Sequence, residues 1–318
     1  MSTALTGSAE LIGTPAFVPG RQVSQLAVIG RDGRNLRVVH ESAMHIEAPN
    51  WTPDGTWLVF NSGGRLFRTA ADGSGSPQLI GTDPALFANN DHVLAPDGRT
   101  IYFSVDAGDL YAVEWQGGAA RRVSNVHPAE QPLRYYLHGI SPDGSTLVYV
   151  GIAGSGGPGA YGLYAIPAAG GPDVPLLHWG VPVDGPEYSP DGRWIYFNGE
   201  DPSRPAGHAQ IYRMRPDGSG TEQLTGDDGV NWFPHPSPDG RWVAFLTYPP
   251  GTRGHPANRQ VVIRMMRPDG QDIGDVVTLL GGQGTINVNS WASDSERLAF
   301  VAYPESGAGN AALLRGSV

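Results

Sequence analysis

A short turn motif recurs six times and limits what this chain can fold into. It reads "NWTPDGTWLVF" around Asp54, "VLAPDGRTIYF" around Asp97, "GISPDGSTLVYV" around Asp143, "EYSPDGRWIYF" around Asp191, "HPSPDGRWVAF" around Asp239 and "SWASDSERLAF" around Asp294. Successive turn Asp residues are 43, 46, 48, 48 and 55 positions apart. Each copy places a tight turn before a run rich in β-branched and aromatic residues, the pattern of two antiparallel strands, A and B. Between copies runs a second hairpin, C and D: "LFRTAADGSGSPQLI", "LYAVEWQGGAARRV", "LYAIPAAGGPDVPLL", "IYRMRPDGSGTEQLT" and "VIRMMRPDGQDIGDVVTLL". No such hairpin follows Asp294, but one precedes the first copy, "QLAVIGRDGRNLRVVH" from Gln25 to His40. A repeat near this length with four strands per unit predicts an all-β, six-bladed β-propeller of four-stranded antiparallel blades. The last blade takes A and B from the C-terminal end and C and D from the N-terminal end, so no bare edge is left at the seam. The whole of 1–318 then forms a single propeller domain, with 1–22 irregular. "NAALLRGSV" remains a second candidate for strand C of the closing blade.

Composition agrees with many short strands joined by turns: 45 Gly and 28 Pro stand beside a 40% hydrophobic fraction. The absence of Cys removes disulfides and thiolate chemistry, and all 21 basic residues are Arg, which removes a Schiff-base or general-base Lys. A formal charge of -10 argues against nucleic acid or an anionic membrane surface as partner. No apolar run approaches a membrane span, so membrane insertion is not expected. The start, "MSTALTGSAELIGTPAF", lacks a basic stretch and a long apolar core, which predicts a cytoplasmic protein.

The S-P-D-G units and the "IYRMRPDGSGTEQLT" hairpin resemble the propeller repeats of the TolB family over about residues 23 to 303. The resemblance implies the six-bladed fold. TolB itself carries an export signal and an extra N-terminal α/β domain, neither of which this sequence shows, so a cytoplasmic one-domain relative is the closer expectation.

In such a ring strand A lines the channel. The Asp-Gly turns open on one face, the D-to-A connectors and B-to-C loops on the other. Eight of the nine histidines fall on the second face: His45, His127 and His178 in connectors, His92, His138 and His235 at strand A, and His208 and His255 in B-to-C loops. The stretches leading into strand A also carry Glu47 and Asn50, Asn90 and Asp91, Arg134, Asp184 and Glu187, Asn231 and Trp232, and Gln283, Asn287 and Asn289. Convergent polar groups at a concave mouth mark the default ligand site.

Three readings stay open. In the first, the mouth captures a small polar molecule or peptide, with Trp232 and Phe233 stacking on it and carboxylates and amides taking its hydroxyls. In the second, His92, His138 and His235 hold one divalent ion, Mn, Zn or Fe, with oxygen ligands beside them. This second reading rests in part on a resemblance to oligogalacturonate lyases, in which His and Gln ligands hold a metal at the mouth. By that similarity a metal would polarise a substrate carboxylate while a His or Arg134 assists β-elimination. Asn287 and Asn289 stand where the histidine-rich motif of those enzymes is wanted. In the third, the propeller is a non-catalytic scaffold for a protein partner. The Gly-rich stretches "GIAGSGGPGAYG" and "GGQGT" fit no phosphate-binding pattern, and no G-x-S-x-G elbow is present.

Overall fold

The structure is a computed structural model, and it describes residues 17–200, 203–307 and the backbone of 314 and 315. It is an all-β ring of six blades. Strands A to D are Glu47–Trp51, Trp57–Ser62, Arg65–Ala70 and Gln78–Ile80 in blade 1. In blade 2 they are Ala88–Leu94, Thr100–Val105, Leu110–Glu114 and Arg121–Arg122. Blade 3 is built from Leu133–Ile140, Thr146–Ala153, Tyr161–Pro167 and Val174–Leu177, and blade 4 from Val183–Tyr188, Ile195–Glu200, Ala209–Met214 and Glu222–Gln223. Blade 5 comprises Val230–Pro236, Val243–Tyr248, Arg259–Met266 and Gly274–Gly281. Blade 6 joins the two ends of the sequence: Arg297–Ala302 is its B strand, Ser24–Gly30 its C and Arg37–Ser42 its D. Gln25 pairs with Ala302 and Gly30 with Arg297, so the N-terminal segment supplies both outer strands. Leu314 and Arg315 instead pair with Thr278 and Val277, adding a fifth strand to blade 5. Most of the expected irregular stretch, residues 1–16, lies outside the described residues.

Each residue of the turn motif has a physical use. In blade 3 the Ser141 hydroxyl donates to Asp143 at 2.5 Å and accepts the Thr146 amide at 2.9 Å, while Asp143 accepts the Ser145 amide at 3.0 Å. These bonds close the turn locally. Gly144 sits at φ +74, and a Cβ there would lie 3.4 Å from Pro96 of the preceding blade, so adjacent motifs pack edge to edge around the ring. Blade 6 lacks the Gly. Ser295 takes its place at φ 59, and its hydroxyl accepts the Asp239 amide of blade 5 at 3.0 Å.

Six positions after each turn Asp, an aromatic ring is buried in strand B: Phe60, Phe103, Tyr149, Phe197, Phe245 and Phe300 are all 2% exposed or less. These rings fill the contacts between blades. Farther out, guanidinium groups clamp one blade to the next. Arg37 donates to the Ala71 and Asp72 carbonyls at 2.7 and 2.5 Å, Arg68 to Trp115 O at 2.8 Å, Arg121 to Ala168 O at 3.1 Å, and Arg213 to Pro268 O at 2.9 Å. A planar fork that donates in several directions suits this task, and an ammonium does not. Among the described residues no helix is long and apolar enough to cross a membrane.

Truncating a strand-B ring leaves a cavity at a blade interface. Phe197→Ala is expected to cost about 3 to 5 kcal/mol. Arg213→Lys, which keeps the charge and loses the fork, is expected to cost about 1 kcal/mol. Urea unfolding of the two variants beside the parent chain checks both figures and their order.

Candidate functional site

The channel is lined by strands that do not run straight. In the A strands of blades 1 to 5 the register with strand B shifts partway along. In three of them the shift centres on a residue with positive φ followed by Pro: Ala48 at 54°, Gly185 at 61° and Phe233 at 56°. A bulge leaves one residue without a ladder partner and re-aims its neighbours. Strand B of the preceding blade secures these bulges. Asn61 donates to the Ala88 and Asn89 carbonyls, Ser104 accepts the Leu137 amide, and Asn198 accepts the Phe233 amide.

The bulges deliver an acid–base cluster to the mouth. Asp184 of blade 4 accepts from His138 Nε2 of blade 3 at 2.9 Å and faces His255 Nε2 of blade 5 at 3.5 Å. The other nitrogen of His138 meets Asn287 O at 3.1 Å, and the other nitrogen of His255 meets Gln283 Oε1. Deeper in the channel, Glu187 contacts His235 Nδ1 at 2.6 Å and accepts from Asn289, while His235 Nε2 donates to Ile286 O at 2.5 Å. Asn50 donates to Asn289 O at 2.6 Å.

The electrostatics follow from burial and from these partners. Burial opposes the charge on Asp184, but His138 and His255 more than offset it and hold the carboxyl well below the usual range. Burial likewise opposes the charge on His138, and Asp184 and Asp91 outweigh it, raising the imidazolium to about 9. Asp91 is pushed up to about 6, mainly by burial. Glu47 is pushed up to about 7 by burial and then by Asp91 and Asp106. The mouth therefore combines a fixed ion pair with two carboxyls, Glu47 and Asp91, that keep their protons to higher pH than usual.

The sequence-predicted residues divide by exposure. Glu47, Arg134, Asp184, Gln283 and Asn289 keep partial exposure, whereas Asn50, Asn90, Asp91, Glu187 and Asn287 are buried below 9%. Trp232 is 4% exposed and Phe233 1%; Trp232 packs edge-on against the His255 ring at 4.5 Å. They back the mouth and present no free ring face to a ligand, contrary to the stacking role expected of them. His92, His138 and His235 do not converge. His138 and His235 have the separate partners described above, and His92, fully buried in blade 2, makes no hydrogen bond of normal geometry through either ring nitrogen. Register sets His235 apart from the other two: His92 and His138 lie five positions before their turn Asp and His235 four. Among the described residues no group of three or more His, Asp or Glu is arranged to hold a metal ion.

The other histidines are spread around the ring. His45 stacks with Phe17 at 5.1 Å and His127 bonds the Tyr135 hydroxyl at 2.7 Å. His255 was placed only as a loop histidine by the sequence, yet it joins the cluster. The bulges had a readable signal, a Pro five positions before the turn Asp in "EAPNW", "DGPEY" and "WFPHP".

The turn-bearing face has concavities of its own. A groove of about 460 Å³ between blades 4 and 5 is lined by Trp194, Tyr196, Arg213, Asp239 and Trp242, and one of about 420 Å³ between blades 6 and 1 by Arg37, Trp57 and Asp72. The rings of the first are already stacked by the chain's own guanidinium groups, Arg213 at 4.1 Å and Arg215 at 3.9 Å from Trp194 and Arg267 at 4.3 Å from Trp242. Those faces are in use as structural contacts.

No protein-family model matches the chain. It is 38% identical over 288 residues to an uncharacterized protein of Agrobacterium fabrum, across 89% of this chain and 94% of that protein. A solved structure from Agrobacterium tumefaciens, designated a candidate TolB, superposes with a TM-score of 0.80 at 37% identity, covering 89% of this chain and 99% of that one. The chain belongs to the TolB-like propeller family. More distant likenesses concern the fold alone. TolB from Acinetobacter baumannii gives a TM-score of 0.59 at 18% identity, over 86% of this chain and 67% of that one. An oligogalacturonate lyase in complex with manganese gives 0.55 at 15% identity, over 82% of this chain and 75% of that one.

In this TolB-like propeller Glu47 provides a pH signature. Its folded-state pKa lies above the ordinary glutamate value, so the folded chain holds that proton more tightly than the unfolded one. The contribution is full below about pH 4.5 and is lost as pH rises through about 7. With 19% of the side chain exposed, we expect a loss of about 1 to 2 kcal/mol across that window. Glu47→Gln should flatten the profile and gain stability at pH 8, checked by denaturant midpoints at pH 5 and pH 8.

Proposed function

We propose that this TolB-like propeller captures a small polar ligand, sugar-like or a peptide end, at the channel mouth. One observation carries the reading: partly exposed polar side chains from separate blades, Glu47, Arg134, Asp184, His255 and Gln283, gather at the mouth around the buried Asp91 and His138. Burying ionisable groups is costly unless each is paired, and such clusters concentrate at functional sites. The balance of the groups narrows the ligand. Carboxyls at Glu47, Asp91, Asp106 and Asp184 outnumber the two cations, Arg134 and the His138 imidazolium, so the mouth is richer in acceptors than in cationic donors and favours a ligand that offers hydroxyl or ammonium hydrogens. The net charge of -10 points the same way.

On this reading the ring geometry positions the acceptors of the mouth. Aromatic support from Trp232 and Phe233 fixes His255, and His255 with His138 fixes Asp184, so the acceptors are held in place before a ligand arrives. Preorganisation of this kind lowers the ordering cost of binding.

Thermal-shift measurement with millimolar neutral monosaccharides, amino sugars, uronates and short peptides tests the reading. A member of the panel should raise the melting temperature of the parent chain. Asp184→Asn and Glu47→Gln should each weaken that member by about tenfold or more, a loss of about 1.4 kcal/mol. Stabilisation that survives both substitutions unchanged places the ligand elsewhere and overturns the proposal.

A further inference from the structure

Blade 6 departs from the other five at its innermost segment. Val301 N bonds Thr285 O at 3.1 Å and Ala299 N bonds Ser290 O at 2.8 Å, so the four residues Ile286 to Asn289 stand opposite a single one, Phe300. The amides of Ile286, Asn287, Val288 and Asn289 donate no hydrogen bond among the described residues. The excursion is held by other blades instead. Asn50 of blade 1 donates to Asn289 O, His138 of blade 3 bonds Asn287 O, Glu187 of blade 4 accepts from Asn289, and His235 of blade 5 donates to Ile286 O. Blade 3 lies opposite blade 6 in a six-membered ring, so a 3.1 Å bond between them means that the excursion crosses the channel axis. Ile286, Asn287 and Val288 are no more than 2% exposed.

Two features mark how this segment is joined to the rest of the mouth. Gly282 and Gly284, at φ +112 and +91, precede it and give the backbone a course that other residues resist. Its contacts also form a closed circuit through the mouth. Gln283 bonds His255, His255 faces Asp184, Asp184 bonds His138, and His138 bonds Asn287. One carboxylate thus ties Asn287 within the segment to Gln283 ahead of it, while the far end, Asn289, is held by Asn50 and Glu187.

We propose that Ile286 to Asn289 form a plug closing the central channel, and that Asp184 is the group through which occupation of the mouth releases it. A ligand hydroxyl or ammonium taken by Asp184 competes with both imidazoles at once. His138 and His255 then lose the partner that orients them, and Asn287 and Gln283 lose their hold together. The release step rests on the mouth being the ligand site proposed above; the plug and its tie to Asp184 are properties of the ligand-free chain and are tested without any ligand.

The experiment is hydrogen exchange read by mass spectrometry on the full-length ligand-free protein, its Asp184→Ala and His255→Ala variants, and Asp191→Ala at a turn as control. In the parent chain, peptides covering 285–290 should exchange at least about tenfold faster than the strand Val243–Tyr248, since ladder bonds are missing. Asp184→Ala should speed the same peptides by a further factor of about ten and leave the B strands unchanged, with a smaller rise for His255→Ala and none for the control. Equal protection of 285–290 and Val243–Tyr248 in the parent chain overturns the plug. Unchanged exchange in both mouth variants, or a rise spread evenly over every blade, overturns the tie to Asp184. If Asp184→Ala does not fold, the parent comparison and His255→Ala decide the matter.

Discussion

The antiparallel pairing of Ser24–Gly30 with Arg297–Ala302 joins the two ends of the chain into one blade, and the position of every channel-lining group follows from that closure. An open array of six blades has two unsatisfied edges and no fixed axis. A closed one forces six inner segments toward a common centre, where groups distant in sequence become neighbours. His138 and Asn287, 149 positions apart, meet at 3.1 Å for this reason. Closure is reinforced locally by turn-to-turn contact around the axis and by the guanidinium clamps of Arg37, Arg68, Arg121 and Arg213 farther out.

Once the inner segments meet, desolvation governs what they can be. Carboxyls and imidazoles carried to the axis lose water and must find one another, and they do so in two sets. The Asp184 set lies at the mouth and keeps some exposure, while the Glu187 set lies deeper and is nearly dry. Removing one member of such a set costs more than the set contributes as a whole, because its partner is left buried and unpaired. The deeper set anchors the blade 6 excursion, and the mouth set faces solvent with acceptors already in place.

Much of the fold was legible because it rests on local chemistry repeated six times. The turn Asp, its Ser or Thr partner and the aromatic ring six positions later are readable without tertiary information, and the split closing blade follows from counting hairpins. The site was legible only in outline. Asp184, Glu47 and His138 were placed at the mouth from topology, but Trp232 was expected to be open to a ligand and is buried, since the Phe233 bulge rotates the strand and sets the ring against His255. The three histidines read together from strand A part company for a similar reason. His235 sits one register position away from His92 and His138, and His138 is drawn to Asp184, which no count of residue types reveals. Asn287 and Asn289 read as polar groups of the stretch leading into strand A, and only the contacts with four other blades set that stretch across the axis.

The central claim is that Asp184 and His138 act as one unit at the centre of the mouth. A double-mutant cycle on urea unfolding, with Asp184→Asn, His138→Gln and the double variant, measures it directly. The account predicts a coupling energy of about 1.5 kcal/mol or more, with the double variant less damaged than the sum of the single ones. Effects that add to within about 0.5 kcal/mol would mean that the two side chains are independent, and the organisation of the mouth around Asp184 would be contradicted.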